Sequence, residues 1–600
     1  MKIILLFIYN AFHDFWGTLR NITLYINGEE RRLVLQSIII GIVIWAVVYP
    51  LKVAVFALSE FTISWATTHS PLLILIPLCL GALIVAAISR YKASIIYYHD
   101  DDGNIHELND VEGDGLEPTI SLYYSSEPTI EHTLTGQEGV KVRWELPTFS
   151  LAARKFAASL VTLGSGGSGG LTASTILIGE SLSAGLFKPR PLGKQITDRF
   201  PLLQRLWEWW LPENPDDLQT AQLSGIAAAV AVVLGAPFAA AFFATEVIYH
   251  RRPIIEKLIY ALISAFIAYF LTDIVDPEHI PLLEVEITYL PPTTASYMAI
   301  LLLMSVVISL VAILFTQLRN RLDYTFHHNL PNTTVRMLLG AVLTGVIAIA
   351  VAWLLAWFDL SDNGLALILG TGKDVIDAAL ANELTVLVAA IALFAKMFAT
   401  LFMIGSGGSA GLLLPSLFLG AMVASIFSDW FGYQPMMLIA PAMAASLVSI
   451  VNVPLAAILF TVEMFGSAYM VPTLIVLIVS AILSHDNSIY RTQRETFDAR
   501  QILPGISVRR VRMPLSWAGQ TLVDLDFRRQ FGLNVIGLLD HRGEDGRPHI
   551  RLATAATTVL EEGDVLVVLG MDEKLDSLET AVLALRTEEL EDIIEGERED

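Results

Sequence analysis

The chain has 600 residues, of which 54% are hydrophobic and only 16% are charged, whereas about a quarter of the residues in an average soluble domain are charged. Its net charge of −22 and the lack of a basic patch argue against nucleic-acid binding, and its single cysteine excludes an intrachain disulfide or a cysteine-based metal site. The composition predicts an integral membrane protein, and no cluster of side chains with metal or nucleophile spacing indicates an enzyme.

Apolar runs fill the sequence as far as about Ser484 and predict an all-α polytopic membrane protein. Five runs reach the roughly 20 residues that cross a bilayer: Leu33–Ala57, Pro71–Ile88, Met298–Thr316, Met337–Trp357 and Leu384–Phe402. Five others are shorter or interrupted by Gly and Pro: Leu171–Phe187, Gly225–Thr245, Leu258–Thr272, Gly411–Phe427 and Pro441–Val462. Interrupted segments at matching positions of two halves are typical of transporters with broken helices.

The N-terminal residues 1–30 predict an amphipathic segment at the membrane surface, since they lack the small-residue cleavage site of a signal peptide. Arg31 and Arg32 precede the first span, and Arg90 and Lys92 follow the second. By the positive-inside rule, both outer ends of this pair lie in the cytoplasm. We expect both chain termini on the cytoplasmic side of a prokaryotic cell membrane.

A long segment of the first half is repeated in the second. KFAASLVTLGSGGSGGLTASTILIG begins at Lys155, and KMFATLFMIGSGGSAGLLLPSLFLG begins at Lys396. A second pair follows, PFAAAFFATE at Pro237–Glu246 and PLAAILFTVE at Pro454–Glu463. Two pairs in the same order predict a duplicated transmembrane unit.

The GSGGS segments end one helix and begin another, because glycines permit positive φ and close approach of two backbones. The free N–H groups and the positive dipole end of the following helix favour an anion. Two such helix ends would form one anion site near the midplane, where irregular backbone is tolerated only if it lines a cavity. Alternatively, the Gly/Ser runs are small-residue seams for helix packing.

From about residue 30 to 500 the chain resembles the CLC chloride channel and transporter family, and the resemblance implies inverted repeats. GSGGSAGLLLP is similar to the family's GSG…GxFxP ion-binding loop, with Gly411, Leu412, Leu413 and Pro415 at the motif positions and Leu413 in place of the usual Phe. Tyr490 falls where the family has its pore-lining tyrosine; an interfacial aromatic-belt residue is the alternative.

GSGGSGGLTAS resembles the family's GREGP loop, with Gly170, Leu171, Thr172, Ala173 and Ser174 at those five positions. The resemblance puts Thr172 at the gate position, where the family has a glutamate. A threonine carries no titratable proton, yet its hydroxyl can donate a hydrogen bond to an anion. Helix N-capping is the alternative role of this residue, and the two roles are compatible.

In the exchangers of this family, an inner proton-handling glutamate directly follows a retained one. Here Glu246 is the retained residue, and Val247 stands at the inner proton-site position. The resemblance thus implies that both proton-handling carboxylates are missing. Since both repeats keep the Pro…Glu pairs, we expect a structural role for them: Pro237, Glu246, Pro454 and Glu463.

The sequence GDGLEP, which begins at Gly113, is the best candidate for the family's GSGIP motif. Asp114 would then replace the serine that coordinates the central anion. A carboxylate repels an anion unless it is protonated or paired, so this interpretation predicts an unusual selectivity. Alternatively, GDG is a chance turn within a solvated acidic insertion at residues 97–147.

Residues 505–580 predict a small α+β cytoplasmic domain. ISVRRVRM, NVIGLLDH and DVLVVLG predict strands, and TLVDLDFRRQFG predicts a helix that ends at Gly532. GQTLVDLDFRRQFGLNVIGLLD resembles the TrkA-C regulatory domain, also known as the RCK C-terminal domain. The resemblance implies dimerisation and a small-molecule ligand, which the residues do not identify. The acidic tail at 586–600 predicts a short fraying helix.

Together these features imply passive permeation of an inorganic anion, with chloride as the first candidate, through a homodimer with one pore per subunit. No cofactor is expected. One alternative is a coupled secondary transporter of anions, or of another ion that involves Asp114. A second alternative is a membrane sensor that does not transport and whose output is the C-terminal domain.

Overall fold

In the computed structural model, the chain is described over most of its length. The described residues are 28–91, 95–99, 105–124, 146–187, 210, 215–249, 254–277, 282–283, 289–360, 364–484, 488–490, 500–503, 506–540, 549–552, 556–561, 564–571 and short pieces up to 585. The predicted surface segment at 1–30, much of the acidic stretch and the tail at 586–600 lie largely or wholly outside them. The chain divides into two compact units: one holds residues 1–123 and 146–493, and the other holds residues 124–145 and 494–600.

The first unit is helical apart from one β-hairpin. Its helices are α1 Gly28–His69, α2 Leu75–Arg90, α3 Leu116–Tyr124, α4 Phe149–Gly164, α5 Thr172–Leu186, α6 Pro215–Leu234, α7 Pro237–Ile248, α8 Ile255–Val275, α9 Ala295–Asn329, α10 Thr333–Trp357, α11 Lys373–Leu380, α12 Val386–Gly405, α13 Leu413–Phe431, α14 Pro435–Val451, α15 Pro454–Phe465 and α16 Met470–Leu483. The hairpin pairs β1 Ile95–His99 with β2 Ile105–Asn109. Among the described residues, eight helices are long and apolar enough to span a membrane.

Two predicted spans are each divided into a pair of helices. Gly225–Thr245 divides between α6 and α7 at Gly235, which has φ +72°, and Pro441–Val462 divides between α14 and α15 at Asn452, which has φ +65°. Each break is followed two residues later by the proline that begins the next helix, and the residue before a proline disfavours helical backbone. The structure also adds α3, α11 and α16, which the sequence analysis did not predict.

Matching helices of the two halves make reciprocal contacts, as a twofold relation between repeats requires. Glu246 of α7 accepts hydrogen bonds from the first free N–H groups of α15, and Glu463 of α15 accepts them from those of α7. Gly170 and Gly411, which precede α5 and α13, likewise exchange two backbone hydrogen bonds. The duplication is thus a spatial pairing around a shared centre.

The second unit contains an antiparallel five-stranded sheet in the order β3-β4-β7-β5-β6, formed by Arg500–Leu503, Ile506–Arg512, Val565–Met571, Asn534–Asp540 and His549–Leu552. Trp517, Phe527 and Leu533 belong to its buried core. The predicted helix is confined to α17, Phe527–Phe531, and ends at Gly532 as expected. Its first residues instead form a turn in which Thr521 and Asp524 bond to each other's backbone, a local competitor of helix.

Candidate functional site

The N-termini of α5 and α13 meet at a short backbone bridge. The Gly170 N–H donates to the Gly411 carbonyl at 2.7 Å, and the Gly411 N–H donates to the Gly170 carbonyl at 2.6 Å. A Cβ at Gly411 would lie 2.7 Å from the Cβ and 2.8 Å from the backbone N of Ala173, closer than real Cβ atoms approach. Glycine is therefore required for this approach of two backbones, and two positive helix ends converge on one region.

The Asp114 carboxylate lies at the N-terminus of α13. One carboxylate oxygen, Oδ2, accepts the Leu412 N–H at 2.8 Å and the Tyr490 hydroxyl at 3.2 Å. The other oxygen accepts the N–H of Leu116 at 2.7 Å, which caps α3. Asp114 is only 5% exposed and Tyr490 only 1%. The interpretation of GDG as a chance turn in a solvated insertion is therefore wrong for residues 110–123, because this part is packed into the first unit.

Three of the four acids between residues 110 and 117 are neutralised by arginines, and Asp114 is the exception. Asp110 pairs with Arg154, Glu112 with Arg336 and Glu117 with Arg319. Within the described part of the chain, no Lys or Arg nitrogen lies within salt-bridge distance of Asp114, and its bonds come from backbone N–H groups and a phenol. Donors of that kind are the ones an anion meets at a helix N-terminus.

Two buried lysines hold equivalent loops in the two repeats. Lys155 donates to the carbonyls of Val111 at 3.1 Å and Gly113 at 2.9 Å. In the second repeat, Lys396 donates to the carbonyls of Ile368 at 2.9 Å and Gly370 at 2.7 Å. The sequence analysis placed both lysines at the start of the repeat without giving them a role.

The loops that these lysines hold begin with a glycine of similar backbone conformation, although their second glycines differ, since Gly372 has positive φ and Gly115 does not. Gly113 has φ +61° and Gly370 has φ +65°, and each begins a Gly-x-Gly turn before a short helix, α3 or α11. Thr371 is therefore the counterpart of Asp114. A Gly-x-Gly triplet precedes the lysine in each repeat, but by 42 residues in the first and 26 in the second, so spacing along the sequence could not have revealed the match.

Thr172 is the first residue of α5 and is 1% exposed. Its hydroxyl and that of Ser174 are buried and have no hydrogen-bond partner among the described residues. The N-cap of α5 is Leu171, so the interpretation of Thr172 as a helix cap is wrong. A buried hydroxyl without a partner is costly, and a bound species that accepts its hydrogen would remove this cost.

Val247 is fully buried near the end of α7, where it adds no polar group. The carboxylate of the adjacent Glu246 accepts the N–H groups of Leu455 at 3.0 Å and Ala456 at 2.9 Å. Its counterpart Glu463 accepts the corresponding N–H groups of α7 at 2.9 and 2.8 Å. Both glutamates are therefore engaged as helix caps.

Pro237 and Pro454 begin the two helices that these glutamates cap. Proline is suited to the first position of a helix, because its missing N–H would have no partner there. The glutamates satisfy the next two N–H groups, which is the geometric reason for the repeated Pro…Glu spacing.

The remaining predicted residues surround the meeting point of the two helices. Leu412 is the N-cap of α13 and Leu413 its first residue, and both are buried. Leu171 and Ala173 flank Thr172 and are also buried. The structure thus brings together all predicted residues of the two glycine loops with Asp114 and Tyr490, while Val247 lies on a different helix.

Paired helix N-termini around a buried polar centre, within a bundle of membrane-length helices, define a class of polytopic membrane proteins with an internal anion-type site. Residues 125–485 match the family described as voltage gated chloride channel. The match covers more than half of the chain, so the chain belongs to this CLC family. Residues 508–582 match the TrkA-C domain.

The CLC match begins after Asp114 and ends before Tyr490. The three-dimensional contacts, and not the family match, therefore bring these two residues to the centre. Nothing in the match assigns either of them a role.

Among relatives, the uncharacterized protein MJ0305 of Methanocaldococcus jannaschii is 23% identical over 250 residues, which are 42% of this chain and 59% of that protein. The chain thus aligns with less than two thirds of that relative's length. The voltage-gated ClC-type chloride channel ClcB of Escherichia coli strain UMN026 is 23% identical over 348 residues, or 56% of this chain and 74% of that protein.

Solved structures share the fold at low identity. A CLC-type fluoride/proton antiporter has a TM-score of 0.57 at 20% identity, covering 77% of this chain and 97% of that one. A eukaryotic CLC transporter has a TM-score of 0.55 at 13% identity, covering 92% of this chain and 89% of that one. These structures show the fold, and the family membership supports anion transport across a membrane.

Proposed function

We propose that this protein lets a small inorganic anion, with chloride as the first candidate, flow down its own gradient without coupled proton movement. The single observation that carries the proposal is the buried Thr172 hydroxyl at the start of α5. It has no described partner and occupies the position where the family resemblance expects a titratable glutamate. A hydroxyl at a helix N-terminus can bind an anion, but it cannot alternate between proton and anion binding.

The surroundings of α7 support the absence of coupling. Val247 offers no carboxylate at the inner proton-site position, and the neighbouring Glu246 already accepts two backbone N–H groups of α15. Using Glu246 as a proton carrier would leave those N–H groups without partners in a buried place, which is costly. A proton route through this helix is therefore disfavoured.

A second candidate function is a coupled secondary transporter in which Asp114 is the titrating group. The specific observation in its favour is that the Asp114 carboxylate lies at the N-terminus of α13, within hydrogen-bond distance of Tyr490. In the proposal of passive flow, that carboxylate only lines the anion pathway. In the proposal of coupled transport, it carries the proton.

Reconstituted vesicles distinguish the two candidates. An outward chloride gradient is imposed, and anion efflux and internal pH are followed together in the presence and absence of a proton ionophore. We expect chloride efflux whenever its charge is compensated, and we expect no proton movement against the proton gradient. Sustained proton transport against its gradient would contradict the passive proposal and favour the coupled one, and the absence of any anion flux would contradict both.

A homodimer in the bilayer, with both termini cytoplasmic and regulation through the TrkA-C domain, belongs to the same proposal. Its support is the family membership and the domain match.

A further inference from the structure

The strongest unexplained feature of the first unit is that the donors at the N-terminus of α13 already hold a negative group of the chain itself. The Leu412 N–H and the Tyr490 hydroxyl converge on one oxygen of Asp114, at 2.8 and 3.2 Å. Each of these donors has a single hydrogen, so each can serve one acceptor well at a time. A free anion that uses the same two donors therefore competes with the Asp114 carboxylate.

The charges around Asp114 are already committed elsewhere. Lys155 of α4 interacts electrostatically with Asp114, but its ammonium donates to the carbonyls of Val111 and Gly113. Arg319 of α9 also faces it and is paired with Glu117 of α3.

The remaining acids close by in sequence, Asp110 and Glu112, are paired with Arg154 of α4 and Arg336 of α10. Of the acids in this stretch, Asp114 is therefore the one whose protonation would break no ion pair within the described residues.

The second repeat shows that the start of the loop does not need a carboxylate for its shape. The equivalent loop has Thr371 between Gly370 and Gly372, with the same positive φ at its first glycine and the same lysine contact. The first glycine and the lysine contact are thus common to the loops of both halves. The negative charge at Asp114 is therefore a feature of the first repeat that the equivalent loop of the second repeat lacks.

We propose that the Asp114 side chain is a built-in occupant of the anion site, which an incoming anion displaces when Asp114 takes up a proton. The proton comes from water and neutralises the carboxylate; the Leu412 N–H and Tyr490 hydroxyl are released and bind the anion. One proton and one anion thus enter together, and the charge of the site is unchanged. The inference rests on the proposed anion pathway, but it concerns binding and holds for passive or coupled transport.

Thermodynamic linkage gives this competition a measurable form. If only the protonated protein binds the anion, the apparent Kd equals the intrinsic Kd divided by the protonated fraction. Above the pKa of Asp114, the apparent Kd for chloride should then rise by about tenfold per pH unit.

The test uses the purified full-length protein and chloride as the probe. Chloride binding is measured by calorimetry over a pH series from weakly acidic to neutral, and proton uptake on chloride addition is measured in weakly buffered solution. The variants are Asp114→Asn, which keeps the shape, and Asp114→Thr, which copies the second repeat. Asp114→Glu keeps a titratable group, and Asp429→Asn removes a charge from an exposed position of α13 as the matched control.

For the unaltered protein and Asp429→Asn, we expect chloride affinity to fall steeply with rising pH and about one proton to be taken up per chloride. For Asp114→Asn and Asp114→Thr, we expect a flat pH profile, tighter binding at neutral pH and no proton uptake. Asp114→Glu should retain a pH dependence, which would show that the titratable group and not the local fold is responsible.

Two results would overturn the proposal. One is an unaltered protein with the same pH profile and proton uptake as Asp114→Asn, and the other is the absence of chloride binding in folded Asp114→Thr at every pH. Parallel flux measurements in vesicles separate this from the proposed function. If Asp114→Thr conducts chloride with an unchanged pH profile, the competition between Asp114 and the anion is contradicted and the permeation proposal is not. If chloride binding is linked to proton uptake but no flux occurs, the competition is supported and the permeation proposal is contradicted.

Discussion

Thr172 and Asp114 place two different polar groups at helix N-termini where an anion could bind. Thr172 presents a neutral hydroxyl without a described partner at the start of α5, whereas Asp114 presents a carboxylate at the start of α13. The sequence indicated the first through a motif position. It left the second open, because a carboxylate in an acid-rich stretch is usually solvated, and only its contacts with Leu412 and Tyr490 show that it is buried.

Introducing Thr172→Glu should slow anion flux at neutral pH and make the flux increase as the pH falls. A carboxylate at the N-terminus of α5 would be favoured by the helix dipole and would compete with the anion for the same N–H groups. Thr172→Gln is the control, because it has nearly the same size and no charge. The measurement is the initial rate of chloride efflux from vesicles at several pH values, and equal profiles for the two variants would contradict a competing carboxylate.

At the scale of elements, paired helices are tied together by a carboxylate from one helix and free N–H groups of the other. Glu246 and Glu463 perform this function for α15 and α7, respectively. The sequence predicted a structural role for both from the repeat alone. It could not identify the partner N–H groups, because they lie more than 200 positions away in the chain.

Replacing Glu246 by Ala should destabilise the first unit by about 3 kcal/mol, since two buried N–H groups lose their acceptor. Glu463→Ala should cost only about 1 kcal/mol, because Glu463 is half-buried and one of the two N–H groups that it accepts belongs to the exposed Phe238. Thermal unfolding in detergent should give a lower midpoint for Glu246→Ala than for Glu463→Ala. The exposed Glu60→Ala serves as the control, and equal midpoints for all three variants would contradict the capping role.

The bridge between α5 and α13 gives another prediction at this scale. Gly411→Ala would place a Cβ 2.7 Å from that of Ala173, so the two helix ends must separate, at a cost of about 1–3 kcal/mol. We expect loss of most chloride flux in vesicles. Gly405→Ala at the end of α12 is the control, because its new Cβ meets nothing closer than 3.7 Å. Full flux in folded Gly411→Ala would contradict a shared site at this bridge.

At the scale of the whole molecule, the chain combines a CLC unit with a TrkA-C domain, and the resemblance of each implies dimerisation. We therefore predict that the intact protein is a homodimer. Mass measurement of the purified protein in detergent should give twice the mass of the 65.8-kDa chain plus bound detergent. A monomer at concentrations where chloride flux persists would contradict this prediction.

The sequence by itself determined the membrane class, the repeat and three of the five strands of the C-terminal domain, because apolar length, glycine spacing and β-branched alternation are local properties. It located the helix ends before Thr172 and Leu413 for the same reason. Only the tertiary structure decided that Gly113–Gly115 belongs beside α13 and that Arg154, Arg336 and Arg319 neutralise the acids around Asp114. These contacts join residues that are far apart in the chain. Whether a buried acid is paired depends on the cost of burying its charge, and the composition of the chain does not show which acids are buried.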